Sequence, residues 1–164
     1  MARRDADTER QSASELLIPL LRDRRRRLAA NTLTAANDRD LRELCSLLLW
    51  KYSEAAGKYL GCRYWSVGTL ASKQKYGRLV TSKVRYGEDA LRHEHLFPRQ
   101  QQIAALFEIE DPVVEEVRAR LDQLNIGVVV TEAEHRRLAK QGEEADPWNR
   151  YRKAGLAWED QHDA

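Results

Sequence analysis

Ile126-Gly127-Val128-Val129-Val130-Thr131-Glu132-Ala133-Glu134-His135 holds the sharpest structural transition in this chain of 164 residues. Its first half is a short β-branched run that reads as a buried strand, because branched side chains pack well on a pleated surface. Thr131, followed three residues later by Glu134, is a capping box. The hydroxyl satisfies an N–H of the first turn and the carboxylate reaches back to the cap. The pattern predicts a helix running through His135, Leu138 and Ala139 to Gly142. His135 is thereby carried on a helix that leaves a buried strand directly.

Upstream, Leu91-Arg92-His93-Glu94-His95-Leu96-Phe97-Pro98 gathers three titratable side chains and ends on a proline that stiffens the exit. Imidazole and carboxylate are the usual tools of metal binding and proton transfer. In an extended segment, His93 and His95 point to one face and Glu94 to the other. Two helices are expected between this segment and the strand at Ile126: one over Gln100–Phe107, and one opened by Asp111-Pro112 and running to Leu124.

Nearer the N-terminus, Leu16, Leu17, Leu20, Leu21 and Leu28 predict a helix over Ser14–Ala30. A second starts at the Asn37/Asp38 cap and runs towards Leu60. A third, capped by Ser66, reaches Tyr76 and stops at Gly77. Arg78 to Tyr86 alternates in a way that suits a strand or extended hairpin arm ending at Gly87. The segment from Asp146-Pro147-Trp148 to Trp158 carries aromatic residues spaced to pack against a body. His162 reads as a solvent-exposed residue. The expected fold class is mostly helical α+β, a single domain over 1–164 with a small β-hairpin beside the site. Residues 1–12 are expected to form a flexible arm.

The net charge of +2 conceals an asymmetry. Residues 1 to 107 carry 20 Lys and Arg against 12 Asp and Glu, whereas residues 108 to 164 carry 8 against 14. Between Arg63 and Tyr86 the charged residues are Arg63, Lys73, Lys75, Arg78, Lys83 and Arg85, with no acid and with tyrosines and a tryptophan interleaved. Such a segment suits phosphate contact, and a solvated loop with core-plugging aromatics is the alternative. Arg24 to Arg27 cannot all face one way on a helix and read as a solvated band, with nucleic-acid contact as the alternative. No stretch has the length of a membrane span. The N-terminus lacks a secretory core, which predicts a cytoplasmic protein. Cys45 and Cys62 form no Cys-x-x-Cys pair, so a cysteine-built zinc site is not expected.

Glu94-His95-Leu96-Phe97-Pro98, followed by Asn125, the strand Ile126 to Val130 and the helix carrying His135, resembles the core motif of the HNH or His-Me finger endonucleases. The resemblance implies a β-hairpin followed by a helix around one divalent metal, a ββα-metal-like core over 88–142, with the two intervening helices inserted within the hairpin. It implies Glu94 and His135 as metal ligands, His95 as the catalytic general base and Asn125 as the residue that orients His95. Magnesium favours oxygen ligands, and the one imidazole makes manganese, nickel or zinc at least as suitable. Arg92, Arg99, Arg136 and Arg137 would grip phosphates near the site, with Lys73, Lys75, Arg78, Lys83 and Arg85 supplying further contacts. The function implied is hydrolysis of DNA phosphodiester bonds, in defence or mobile-element biology, with RNA as an alternative substrate. A non-catalytic nucleic-acid- or protein-binding module on the same scaffold is the other reading.

Overall fold

The computed structural model describes residues 5–55, 57–142 and 144–161. His162 lies outside them. The chain is a mostly helical α+β protein in two compact units that interleave in sequence: Met1–Gly61 with Phe97–Asn125, and Cys62–Leu96 with Ile126–Ala164.

The first unit is helical. It contains α1 (Ala6–Ala29), α2 (Ala35–Ser53), α5 (Arg99–Phe107) and α6 (Val114–Leu124). Residues 6–12, expected in a flexible arm, belong to α1. Asp5 caps that helix, and Arg118 of α6 pairs with Asp7. The leucine spacing resolves into a core of Leu17, Leu21, Cys45, Leu49, Tyr52, Ile103, Leu106, Val117 and Leu121. Burying each such side chain stabilises the unit by roughly 1.5–3 kcal/mol. Tyr52 is almost wholly buried, and its hydroxyl donates to Asp122 Oδ1 at 2.5 Å. Burial and the Asp122 carboxylate together push its pKa up. Burial also pushes the Cys45 thiol up, to about 11. α2 stops at Ser53 rather than near Leu60, and α6 begins two residues after Pro112 with Val113 as its cap.

The arginine run divides: Arg26 stays solvated, as a surface band would, while Arg24 and Arg25 turn onto neighbouring segments. Arg24 donates to Asp38 at 2.8 Å and lies 4.0 Å from the centroid of the Phe107 ring. Arg25 donates to the Ile109 carbonyl at 2.9 Å, and Arg26 and Arg27 both hold Asp23. Arg24 and Arg25 thus clamp α1 to other segments of its unit, with stems on apolar surface and charged heads on acceptors, whereas Arg26 and Arg27 pair within α1.

The second unit is built on a mixed four-stranded sheet in the order β2-β3-β1-β4. Its strands are β1 (Tyr64–Ser66), β2 (Leu91–His95), β3 (Gly127–Thr131) and β4 (Trp158–Asp160). β3 is buried along its whole length, as its valines require. It runs antiparallel to β2, with Leu91 opposite Thr131, Glu94 opposite Val128 and His95 opposite Gly127. On its other side it runs parallel to β1. The expected pairing therefore forms although residues 96–126 intervene, and α5 and α6 lie within that excursion.

Both parallel strands feed helices: β1 leads into α3 (Val67–Tyr76), and β3 leads into α7 (Glu132–Leu138). Ser66 caps the first, and Thr131 caps the second with the full capping box. Glu134 links the two caps by accepting from Thr131 N at 2.8 Å and from Ser66 Oγ at 2.5 Å. Gly68 makes room for that carboxylate, since a Cβ there would stand 2.5 Å from Glu134 Oε1.

The strand expected over 78–86 does not form. Val80 is buried, Ser82 caps a single helical turn, α4 (Lys83–Tyr86), and a 3₁₀ turn over Gly87–Asp89 leads into β2. The local Ser82 cap and the left-handed glycines at 77 and 87 outweigh the alternation, and β2 meets the segment at the Val80 carbonyl, which accepts from Leu91 N at 2.7 Å. The aromatic tail is ordered as α8 (Pro147–Lys153) and β4.

Candidate active site

Register determines which side chains of β2 can meet. Cross-strand partners share a face and successive residues alternate, so Arg92 and Glu94 stand on one face, and Leu91, His93 and His95 on the other. α7 lies against the Glu94 side. Arg92 Nε donates to Glu132 Oε2 at 2.5 Å, and one turn further along the helix His135 Nδ1 lies 2.5 Å from Glu94 Oε1. Glu94 and His135, forty-one residues apart in the chain, form the centre of the site.

A third residue joins them. Arg150, on α8, donates to the other Glu94 oxygen at 3.2 Å. α8 is held on this face by aromatic packing: Trp148 stacks on Trp158 at 4.3 Å and meets Tyr64 edge-on at 4.9 Å. Tyr151, the next residue, is fully buried, and burial together with the Glu94 charge pushes its pKa up. The Glu94 side chain is 14% exposed, Arg150 22% and His135 41%, so the pair opens to solvent on the histidine side.

His95 is not with them. Its ring stacks on His93 at 4.8 Å on the opposite face. The backbone of Gly127 approaches closely there: a Cβ at 127 would lie 2.8 Å from Cys62 Sγ and 2.9 Å from His93 Nε2. Asn125 ends α6 in the helical unit, where its amide nitrogen donates to Gln102 Oε1 at 2.8 Å and to the Leu49 carbonyl at 3.2 Å.

No known protein family, curated relative or solved structure matches this chain. Its chemistry must be read from its own residues.

The cations expected to hold phosphate divide into two groups. Glu132, 4% exposed, takes Lys83 at 2.7 Å, Arg92 at 2.5 Å and Arg136 at 3.4 Å. Lys83 and Arg92 beside it hold its carboxyl down at about 2. Arg136 also meets Glu88 at 2.9 Å, Lys75 meets Asp89 at 2.6 Å, and Arg137 is 4.0 Å from Glu134. Lys73, Arg78, Arg85 and Arg99 have no carboxylate partner among the described residues. Lys73 lies 4.9 Å from the Trp65 ring centroid, Arg78 and Arg85 flank Tyr86, and Arg99 in the helical unit donates to Ser46 Oγ at 3.0 Å.

For a divalent metal, the donor set is one carboxylate and one imidazole. Among the described residues no group of three or more His, Cys, Asp or Glu converges as a metal site. His135 Nδ1 and Glu94 Oε1, 2.5 Å apart, bond each other directly, so an ion would have to part them, and the imidazole favours manganese, nickel or zinc at least as much as magnesium. Arg150 was missed in the sequence because nothing local marks it. It lies fifty-six residues from Glu94, in a segment whose visible signal is aromatic. No helix among the described residues is long and apolar enough to cross a membrane.

Proposed function

We propose that this chain is a cytoplasmic, metal-dependent, HNH-like endonuclease that hydrolyses phosphodiester bonds of DNA. One observation carries the reading: β2 pairs antiparallel with β3 across the helical excursion, α7 follows at once, and His135 Nδ1 comes within 2.5 Å of Glu94 Oε1. Glu94 and His135 would hold the ion. When bound, it would stabilise the charge that develops on the phosphorane and the leaving oxygen.

The protein's own groups divide the remaining work. Arg150 orients the Glu94 carboxylate and balances its charge. β2 is the outer strand of the sheet, so a phosphate at its Glu94-His95 end would have the Glu94–His135 pair on one side and His95 on the other. His95 would act as the base from the opposite face of the strand, taking the proton of the attacking water. Asn125 has no part in this scheme.

Nicking of supercoiled plasmid with magnesium, manganese or nickel tests the proposal. The expected result is ion-dependent nicking that falls by about 10²–10⁴-fold in His95→Ala and is also lost in His135→Ala. Equal activity in His95→Ala would sink its role as base. The second reading, a non-catalytic nucleic-acid-binding module on the same scaffold, is favoured by the Arg150 guanidinium on the second Glu94 oxygen. It predicts salt-sensitive DNA binding with no cleavage in any of the three ions.

A further inference from the structure

Between Gly77 and Gly87 the chain leaves α3 and returns towards β2 as an arm whose residues 81–85 are all exposed. The arm is anchored at both ends. Val80 is buried and its carbonyl accepts from Leu91 N at 2.7 Å, while Tyr86 packs edge-on against Tyr76 at 5.1 Å. Gly77 and Gly87, at φ of 64° and 55°, take backbone conformations that other residues rarely adopt. Lys83 is tied back to Glu132 at 2.7 Å. At the tip, Val84 is 100% exposed, whereas the other exposed large apolar residues among those described retain some cover.

Two guanidiniums of the arm meet at Tyr86. Arg78 donates to the Tyr86 hydroxyl at 2.6 Å, and Arg85 lies 5.4 Å from the Tyr86 ring centroid. Neither has a carboxylate partner among the described residues. The arm thus offers, on one braced segment, two cations without carboxylate partners beside Tyr86 and one fully exposed aliphatic side chain. Proteins that grip single strands present open aromatic faces for base stacking. Here both tyrosines are engaged with each other, and the leading residue is aliphatic, suited to base edges and thymine methyl groups.

We infer that the Gly77–Gly87 arm enters a groove of duplex DNA, with Arg78 and Arg85 each taking a backbone phosphate and Val84 meeting the base edges. This rests on the reading of the chain as a DNA-acting protein, and adds the element that engages the duplex and the residues that do so. Lys75 and Lys83, already ion-paired, take no phosphate.

The test measures binding of the full chain to a short labelled duplex in EDTA over a series of salt concentrations, so that cleavage plays no part. In Arg78→Gln/Arg85→Gln the slope of log affinity against log salt becomes shallower by about 2, near 0.9 for each phosphate lost. In Val84→Ser the duplex affinity falls roughly fivefold, as expected for a lost apolar contact, and the slope stays unchanged. Unchanged melting temperatures verify that these exposed substitutions leave the fold intact. An unaltered slope in the double variant, or an unaltered affinity in Val84→Ser, overturns the inference. So does an equal loss on single-stranded DNA or on RNA. If the plasmid is never nicked but the arm variants behave as stated, the catalytic reading fails and the arm assignment stands. If the plasmid is nicked and the arm variants bind as the parent does, the arm assignment fails alone. A chain that binds no duplex DNA removes both.

Discussion

Replacing Glu94 by glutamine tests the centre of the site without reference to any reaction. The amide keeps the shape of the carboxylate and removes its charge. That strips Arg150 of its ionic partner at 3.2 Å and weakens the 2.5 Å contact with His135. Breaking a buried ion pair by removing one partner costs about 3–5 kcal/mol, and exposed pairs are worth about 0–1 kcal/mol. With Glu94 14% and Arg150 22% exposed, the pair falls between these limits, at about 2 kcal/mol. For a chain of 164 residues that is a fall in melting temperature of about 4–8 °C. Trp65, Trp148 and Trp158 lie in this unit and Trp50 in the helical one, so tryptophan fluorescence reports this unit locally once both parent and variant carry Trp50→Phe. The cycle with Arg150→Met sharpens the measurement: the double variant should lose less than the sum of the two singles, because no charge is then left unpaired. If Glu94→Gln melts within 1 °C of the parent (about the precision of such an assay relative to the shift expected) and the cycle shows no coupling, the assignment of Arg150 as the residue that orients Glu94 is refuted.

Two further outcomes follow from the caps and from Glu132. Gly68→Ala places a Cβ 2.5 Å from Glu134 Oε1, on a carboxylate whose Oε2 is held by Ser66 and Thr131, so the cost is about 1–3 kcal/mol. Thermal melts measure it, and an unchanged melting temperature would show that the carboxylate yields freely. Glu132, held down at about 2 against an ordinary value of 4.5, contributes stability that is complete above about pH 4.5 and is lost as the pH falls towards 2. The difference in melting temperature between the parent and Glu132→Gln should therefore narrow as pH falls through that range. A gap independent of pH would contradict the role given to Lys83 and Arg92.

Much of the site was legible in the chain. The β-branched run and the capping box mark β3 and α7, because strand packing and cap chemistry act over a few residues. Alternation along an extended segment already separates Glu94 from His95. β1 and β4 escaped notice because three residues each are too few to display a period, and their pairing is set by partners far along the chain. The strand expected over 78–86 failed for the opposite reason: a period was present, but the neighbouring β2 meets it at the Val80 carbonyl and residues 81–85 stay exposed without a partner strand.

The sequence by itself determined the mostly helical α+β class, the strand and capped helix around Thr131, the two helices between the motifs, and the choice of Glu94 and His135 as residues to watch. Only the tertiary structure decided that β2 and β3 pair, that His135 meets Glu94 while His95 turns to the opposite face, and that Arg150 completes the constellation. It also decided which cations are neutralised: Lys75 and Lys83 meet carboxylates, and Arg78 and Arg85 do not. Periods and caps are local, whereas register, face and charge pairing depend on which distant segment lies alongside.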